Sequence, residues 1–370
     1  MADAPLGLRL LRRLLRTRLG PPRDLPDEPG WQPRRLLVVR VDERLGDLLL
    51  TTPLLRALAG SLPPGGGVEA LVSARYAPAL AGNPHVTAIH PFAKRDLFRR
   101  PGRYLALLRD LRARGFDAAL DASHPQAFSR TSAALTYATG APLRVGHARG
   151  AAGLFLNRTV PVRQPVDELP EHEHKATLLA ALGLPGALTV LDPRMVYAPL
   201  ERAGRERARA RDLVTGLRGA AGQPVIALYP GGRKREQRWP AGRFATVGRD
   251  LGRDRDARVV VAWGPGEEAL AREVAAEIPA AAIAPPTTVL ELAALYEACD
   301  VVLTNDTGPM HLAVAVGTPT CAVFLTGAGQ RYGPPGPRHR VVDGAGAAPA
   351  AGEVRRAVEA LLERREGGPA

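Results

Sequence analysis

Two successive α/β domains, each built on a parallel sheet, are what this 370-residue sequence predicts, and three observations carry that expectation. The strand-length apolar runs are continuous rather than alternating, as in strands buried on both faces. Helical patterns separate them, which makes a series of βα units. The series then repeats beyond a helical, arginine-rich connection at Pro199 to Leu217. At roughly 100 to 200 residues per domain, the length accommodates two domains or three small ones. A hydrophobic content of 45% supplies a core for each and excludes whole-chain disorder.

Residues 5–19 (PLGLRLLRRLLRTRL) open the chain with a basic helical pattern. At about 100° per residue it reads as amphipathic: Leu8, Leu10, Leu11, Leu14, Leu15 and Leu19 on one side, Arg9, Arg12, Arg13 and Arg16 on the other, and Arg18 on the wrong face. Two readings stay open, an interfacial anchor on acidic lipid and a helix packed on the protein's own surface. Arginines interrupt every candidate apolar core of a signal peptide and no small-residue cleavage site follows, so none is expected. The proline- and acid-dense stretch GPPRDLPDEPGWQP then reads as a linker ending at Pro33.

From Arg34 the βα alternation begins. Arg35 to Val41 is an apolar strand, DERLGD a loop and LLLTTPLLRALAGSL a helix closed by PPGGG. Strands follow at Val68 to Val72, Val86 to His90 and Phe116 to Asp121, with helical stretches at Tyr76 to Leu80, Arg103 to Arg114 and Gln126 to Thr139. In the second half, strand Pro224 to Tyr229 leads through PGGRKREQRWP to helix Ala241 to Leu251, and strand Arg258 to Trp263 through GPGEE to helix Glu267 to Ile278. A short strand at Ala281 to Ala284, helix Thr288 to Ala298, strand Val301 to Thr304, loop NDTGP, helix Met310 to Val316 and strand Thr320 to Leu325 complete the plan. The expected divisions are residues 1–33 for helix and linker, 34–198 and 199–340 for the two domains, and 341–370 for a tail with a helix.

A net charge of +13 opens the prospects of nucleic acid, an anionic membrane surface or phosphorylated substrates. Only three of the 50 basic residues are lysines (Lys94, Lys175, Lys234), and with 39 Gly and 35 Pro the arginine excess reads as compositional bias. The arginines are spread along the chain without a recognition motif of interleaved aromatics, so no nucleic acid partner is expected. No stretch approaches the roughly 18 uninterrupted apolar residues of a membrane span; the greasiest, Met310 to Leu325, is broken by His311, Gly317, Thr318 and Pro319. Two cysteines, Cys299 and Cys321, make neither a disulfide framework nor a zinc spacing, which fits a reduced, cytosolic setting.

Three loops at the carboxyl ends of strands, where ligands bind in such sheets, carry the chemistry. Asp42 to Asp47 places a carboxylate, Asp47, where a strand hands over to a helix; by itself it reads first as a helix cap. Gly231 to Pro240 sets glycine amides and the cations Arg233, Lys234, Arg235 and Arg238 before a helix start, a combination suited to a pyrophosphate, with a solvated charged turn as the alternative. It lacks the Walker spacing, which disfavours a P-loop kinase or ATPase. Asn305 to His311 clusters Asn305, Asp306, Thr307 and His311 at another helix start, where Thr307 or Asp306 would also serve as a cap. GPGEE (Gly264, Gly266, Glu267, Glu268) resembles a nucleotide-binding turn, but no G-x-G-x-x-G follows the first strand, which counts against a dinucleotide oxidoreductase.

Taken in order, RLLVVRVDERLGDLLLTTPLLRAL, PGGRKREQRWPAGRFATVG, VVVAWGPGEE and LAALYEACDVVLTNDTGPMHLAVAVGTPTCAVF resemble the successive signatures of glycosyltransferase family 9, the ADP-heptose:lipopolysaccharide heptosyltransferase-like enzymes, from about Arg34 to Pro337. The resemblance implies a GT-B fold: two Rossmann-like α/β domains with a cleft between them, the acceptor held by the first and the nucleotide-sugar by the second. It further implies inverting transfer of a heptose-like sugar, ADP-linked, to a cell-envelope saccharide or lipid-linked acceptor, with no metal and no cofactor, in the cytoplasm or at the inner face of the cytoplasmic membrane. The aspartate of the family's GD motif falls on Asp47, as catalytic base. Asp306, Thr307, Gly308 and His311 match the donor-binding loop, and Glu267 or Glu268 stands where a carboxylate would hold ribose hydroxyls. Gly231, Gly232, Arg233, Lys234 and Arg238 would face the diphosphate. One position departs from the pattern: Gln237 stands where the family has its phosphate-binding lysine, leaving Lys234 or Arg233 as the substitute. The rival readings are a noncatalytic sugar-nucleotide-binding protein, which would have no need of Asp47, and a nucleotide-dependent Rossmann oxidoreductase, which would need the missing fingerprint.

Overall fold

The computed structural model describes residues 5–27, 30–162, 165–184, 192–219 and 222–366; residues 28 and 29 of the expected linker and the last four of the expected tail lie outside them. The chain divides into two compact units, Met1–Pro193 and Arg194–Ala370.

The first unit runs α1 (Leu6–Leu19), β1 (Arg35–Arg40), α2 (Leu45–Leu49), α3 (Thr52–Ser61), β2 (Gly67–Ser73), β3 (Ala88–Phe92), α4 (Asp96–Arg99), α5 (Pro101–Ala113), β4 (Ala118–Asp121), α6 (Arg130–Ala138), β5 (Leu143–His147), β6 (Arg158–Val160) and α7 (Glu171–Ala180). Its six strands form one sheet in the order β3-β2-β1-β4-β5-β6, every neighbouring pair parallel. Leu36, Leu37, Val38 and Val39 of β1 are all buried, because helices cover both faces. One covering layer packs Leu8 and Leu15 of α1, Leu108 and Leu111 of α5 and Leu135 of α6 against Leu37, Val39 and Leu71.

The second unit repeats the plan with α8 (Gly204–Arg218), β7 (Val225–Tyr229), α9 (Ala241–Arg255), β8 (Arg258–Val261), α10 (Glu268–Ala276), β9 (Ala282–Ile283), α11 (Val289–Ala298), β10 (Val301–Asn305), α12 (Gly308–Ala315), β11 (Thr320–Phe324), α13 (Gly329–Tyr332), β12 (His339–Asp343) and α14 (Ala351–Glu366). The sheet order is β12-β11-β10-β7-β8-β9, again all parallel. In each sheet the chain builds outward from its first strand, then returns to that strand's other side: the doubly wound Rossmann arrangement. The switch point lies between β1 and β4 in one unit and between β7 and β10 in the other.

Three expectations need correction. The helix expected from Leu48 to Leu62 is two: α2 starts earlier, at Leu45, and ends at Leu49, and α3 restarts with Pro53 in its first turn, where the lacking N–H costs nothing. The leucines of α1 do not share one face. Leu8, Leu11, Leu15 and Leu19 pack on the first unit's core, while Leu6, Leu10 and Leu14 are 70%, 54% and 53% exposed. At about 100° per residue the second set points roughly opposite to the first, so the helix has two apolar stripes with arginines between them. The stretch from 341 is no appendage to the second sheet's fold: β12 is paired along β11, and Val354, Val358, Leu361 and Leu362 of α14 enter the core beneath β7 and β10. Cys299 and Cys321 are free and buried, which pushes both thiols up to about 12. No described helix is long and apolar enough to cross a membrane.

Candidate active site

The first unit's switch point places the loop after β1 beside that after β4. Arg40, the last residue of β1, is 1% exposed, and its guanidinium meets Asp47 at 2.9 Å and Asp42 at 3.4 Å while donating to the Ala122 carbonyl beyond β4. Asp47 is the third residue of α2; the N-cap is Arg44, which approaches Asp47 at 3.6 Å, so the cap reading fails for Asp47 itself. Behind it, on α7, Lys175 pairs with Glu171 at 2.6 Å, both buried. Burial would push the Asp47 carboxyl up, but Arg40, Lys175 and Arg44 outweigh burial and Glu171, holding it below the ordinary carboxylate range. Burial pulls the Lys175 ammonium down, against the attraction of Glu171 and Asp47.

The same strand ends hold a second buried set. Asp121 closes β4, pairs with Arg149 at 3.2 Å and accepts from the Ser123 amide at 3.1 Å; burial nonetheless raises its carboxyl above the ordinary value. His147, at the end of β5, is held neutral, pulled down to about 3 by burial and then by Arg149, His174 and Lys175. Buried ion pairs at best break even against well-packed apolar residues. Three of them gathered near the ends of β1 and β4 point to chemistry rather than to stability.

Next to this loop lies a cavity of about 430 Å³ whose lining includes Glu43, Ser73, Arg75, Phe92, Lys94 and Arg95, at the carboxyl ends of β2 and β3.

In the second unit the switch point brings together the loops after β7 and β10. Asn305, the buried last residue of β10, donates to the carbonyls of Pro230 and Gly231 at 2.8 and 3.0 Å and accepts from the Trp239 amide at 2.8 Å, so one side chain ties both ends of the 231–238 loop. Glu267, the N-cap of α10, ties its middle, accepting from the Gly232 amide at 2.8 Å, the Tyr229 hydroxyl at 2.8 Å, the Gly264 amide at 3.1 Å and Arg238 at 3.1 Å. A Cβ on Gly231 would stand 2.1 Å from the Glu267 carboxylate, and one on Gly232 3.0 Å from Thr307. Gly231 is therefore favoured by close approach, and Gly232, at φ 157°, by its backbone. Thr307 is the N-cap of α12, Gly308 its first residue, and His311 is buried one turn in.

The decisive comparison is with the sequence pattern of "Glycosyltransferase family 9 (heptosyltransferase)", which residues 104–357 match. The chain belongs to glycosyltransferase family 9. It is a glycosyltransferase. The chain is 26% identical over 291 residues to lipopolysaccharide heptosyltransferase 3 of Escherichia coli, covering 75% of this chain and 80% of that one. In fold it is similar to a family 9 glycosyltransferase from Veillonella parvula (TM-score 0.77, 21% identity, 90% of this chain and 97% of the other). It is likewise similar to the E. coli heptosyltransferase WaaC with ADP (TM-score 0.68, 23% identity, 88% and 99%).

For this family 9 glycosyltransferase, the donor residues expected on the loops after β7 and β8 fall into two groups, while Asp306 follows β10 and Gly308 and His311 lie in α12. Gly231, Gly232, Arg238 and Glu267 form one bonded unit with Thr307 against it. Arg233 and Lys234 stand exposed on the loop, without an ion pair among the described residues. Both oxygens of Glu267 are engaged, one by the loop it organises and the other by Tyr229 and the Gly264 amide, and Glu268 is paired with Arg272 at 2.6 Å, so neither expected ribose carboxylate stands idle. Sequence reasoning missed Arg40, Glu171, Lys175, Asp121, Arg149 and the tying role of Asn305. The EHEHK run around Glu171 and Lys175 was the available signal, since acid and base four apart inside an otherwise leucine-rich helix are neighbours on one face.

Proposed function

We propose that this enzyme is an inverting heptosyltransferase that moves a sugar from an ADP-linked donor to a saccharide of the cell envelope at the inner face of the cytoplasmic membrane. Asp47 carries the reading. It is a buried carboxylate at a switch point, oriented by Arg40 at 2.9 Å, and in its ionised form it is the group there that can take a proton from an acceptor hydroxyl. The hydroxyl oxygen then attacks the anomeric carbon from the face opposite the nucleotide; the bond to the diphosphate oxygen breaks and the configuration inverts. Negative charge gathers on the departing diphosphate. Arg233, Lys234, the Gly231 amide and the start of α12 at Thr307 and Gly308 would meet it, with Gly232 holding the loop through Glu267 and with Asp306 and His311 shaping the donor pocket, so the scheme uses no metal. Arg238 serves by fixing the loop, since its Nε donates to the Gly232 carbonyl at 2.6 Å.

ADP as the nucleotide rests on the fold shared with WaaC, whose structure holds ADP, and the envelope acceptor on the lipopolysaccharide heptosyltransferase relative. The peripheral location rests on α1, whose Leu6, Leu10 and Leu14 stay exposed among arginines after the opposite stripe has docked. The test joins binding to chemistry. A panel of ADP-, UDP-, GDP- and TDP-sugars should show a preference for ADP-heptose, and NMR of the product should show the inverted anomer. Asp47→Asn should lower turnover by about 100-fold or more with donor affinity nearly unchanged. Near wild-type turnover in that variant would remove Asp47 from the mechanism.

A further inference from the structure

Among the described residues, the most exposed large apolar side chain is not on α1. Phe98, on the short helix α4, is 80% exposed, more than any of the α1 leucines. Around it the chain reads KRDLFRRPGR. Lys94, Arg95, Arg99, Arg100 and Arg103 are all exposed, and among the described residues none of the five has an ion pair. A phenyl ring held out in water by a basic rim is costly for a surface whose only contact is solvent, and its chemistry complements an anionic bilayer, apolar tip into the interface and cations among the headgroups.

The position of the tip adds to this. α4 follows the carboxyl end of β3, the edge strand of the first sheet. Lys94 and Arg95, which open the tip, also line the cavity that reaches Glu43 on the loop leading into α2. Helix α1 packs on the same unit, against α6 and the Ala152–Leu154 turn between β5 and β6.

We propose that the α4 tip is a second membrane-docking element, which seats Phe98 in an anionic lipid surface and sets the mouth of the Lys94–Arg95 cavity at the level where a lipid-linked acceptor would present its saccharide. This rests on the peripheral location proposed above and deepens it, because α1 by itself fixes no orientation on a plane, whereas two elements do. Both anchors combine buried apolar area with basic charge, so binding is reversible and weakens with salt.

The experiment uses the full chain with phosphatidylcholine vesicles, with and without phosphatidylglycerol. Phe98→Ala and the double variant Arg99→Glu/Arg100→Glu, each checked for unchanged circular dichroism and melting, should lower sedimentation with the anionic vesicles by about tenfold or more. Phe98→Trp provides a positive reading: the emission of the introduced indole should shift to the blue and be quenched by brominated lipid on anionic vesicles, and remain unshifted on neutral ones. If wild type sediments and all three variants match it with the introduced indole's emission unmoved, the tip is not a lipid contact, and the α1 reading stands alone. If wild type ignores anionic vesicles at low salt, the membrane location itself is wrong and the tip proposal goes with it. An emission shift in Phe98→Trp that follows protein concentration rather than lipid would assign the tip to a second copy of the chain and overturn the proposal.

Discussion

Arg40 and Asp47 need each other at close range. Removing one partner of a buried pair leaves an uncompensated charge and costs about 3 to 5 kcal/mol, so a clean test keeps the charge and loosens the geometry. The sign follows from the direction of the Asp47 shift. A carboxyl held below its ordinary value stays ionised as the pH falls, and weakening its cations brings protonation to higher pH. Arg40→Lys should therefore move the acid limb of the kcat–pH profile upward. Arg44→Gln should do the same to a lesser degree, because Arg44 is more than half exposed and screened by water. An unmoved acid limb in Arg40→Lys, with stability reduced, would leave Arg40 a structural role only. At the donor loop, Lys234→Ala removes an exposed cation and should weaken donor binding about tenfold with melting unchanged. Glu267→Gln should cost about 1 to 3 kcal/mol of stability as well as affinity, because the amide cannot accept from Tyr229, Gly232, Gly264 and Arg238 together. Equal behaviour of the two variants in melting and in donor titration would contradict this division. Asp47 and the NDTGPMH loop stood out in the sequence through the family resemblance, since Asp47 alone reads as a helix cap. The Glu267 hub was not, since its partners stand up to 38 positions away and only the crossing of β7 and β8 brings them together.

Helix α1 shows how an element can be read correctly in kind and wrongly in orientation. Its helical period and basic character were plain, but leucines and arginines alternating through fourteen residues leave more than one face apolar, and which stripe docks is decided by the core it meets. The two stripes should respond differently. Leu15→Ala, in the core with Phe116 and Leu135, should cost about 2 to 5 kcal/mol. The triple change of Leu6, Leu10 and Leu14 to Ser should leave melting nearly unchanged while lowering sedimentation with anionic liposomes on the order of 100-fold. Normal liposome binding by the triple variant would end the anchoring role of α1. Elsewhere, what the sequence concealed has physical reasons. The run LLLTTPLLRAL is apolar nearly throughout and masks the break at Leu50 and Thr51, although Pro53 marks it. β6 is three residues at a sheet edge with two of them exposed, and β12 has a single buried residue, so neither carries the continuous apolar run that marks a central strand.

At the scale of the whole molecule, each unit repeats one solution: a parallel sheet whose switch point gathers its polar residues, with titrating groups buried near the strand ends. That arrangement makes the protein sensitive to acid, and the sense can be derived. His147 in the first unit is pulled to about 3 and His339 in the second to about 4, both chiefly by burial, against an ordinary 6.5. A histidine whose folded value is lowered stays neutral in the native state while the unfolded chain takes up the proton. Each therefore contributes stability that is fully present above about 6.5 and is lost as the pH falls toward its folded value, at up to roughly 1.4 kcal/mol per pH unit. In the first unit the raised Asp121 carboxyl works in the opposite sense over the same acidic range, so the response there is mixed. The second unit gives the cleaner reading. Urea unfolding followed from about pH 7 down to about pH 4 should show its transition falling, and His339→Gln should flatten that fall by up to a few kcal/mol at the acid end while changing little near neutrality. If the variant loses stability in parallel with wild type across the range, the partly buried imidazole of His339 is not what makes the second unit fail in acid.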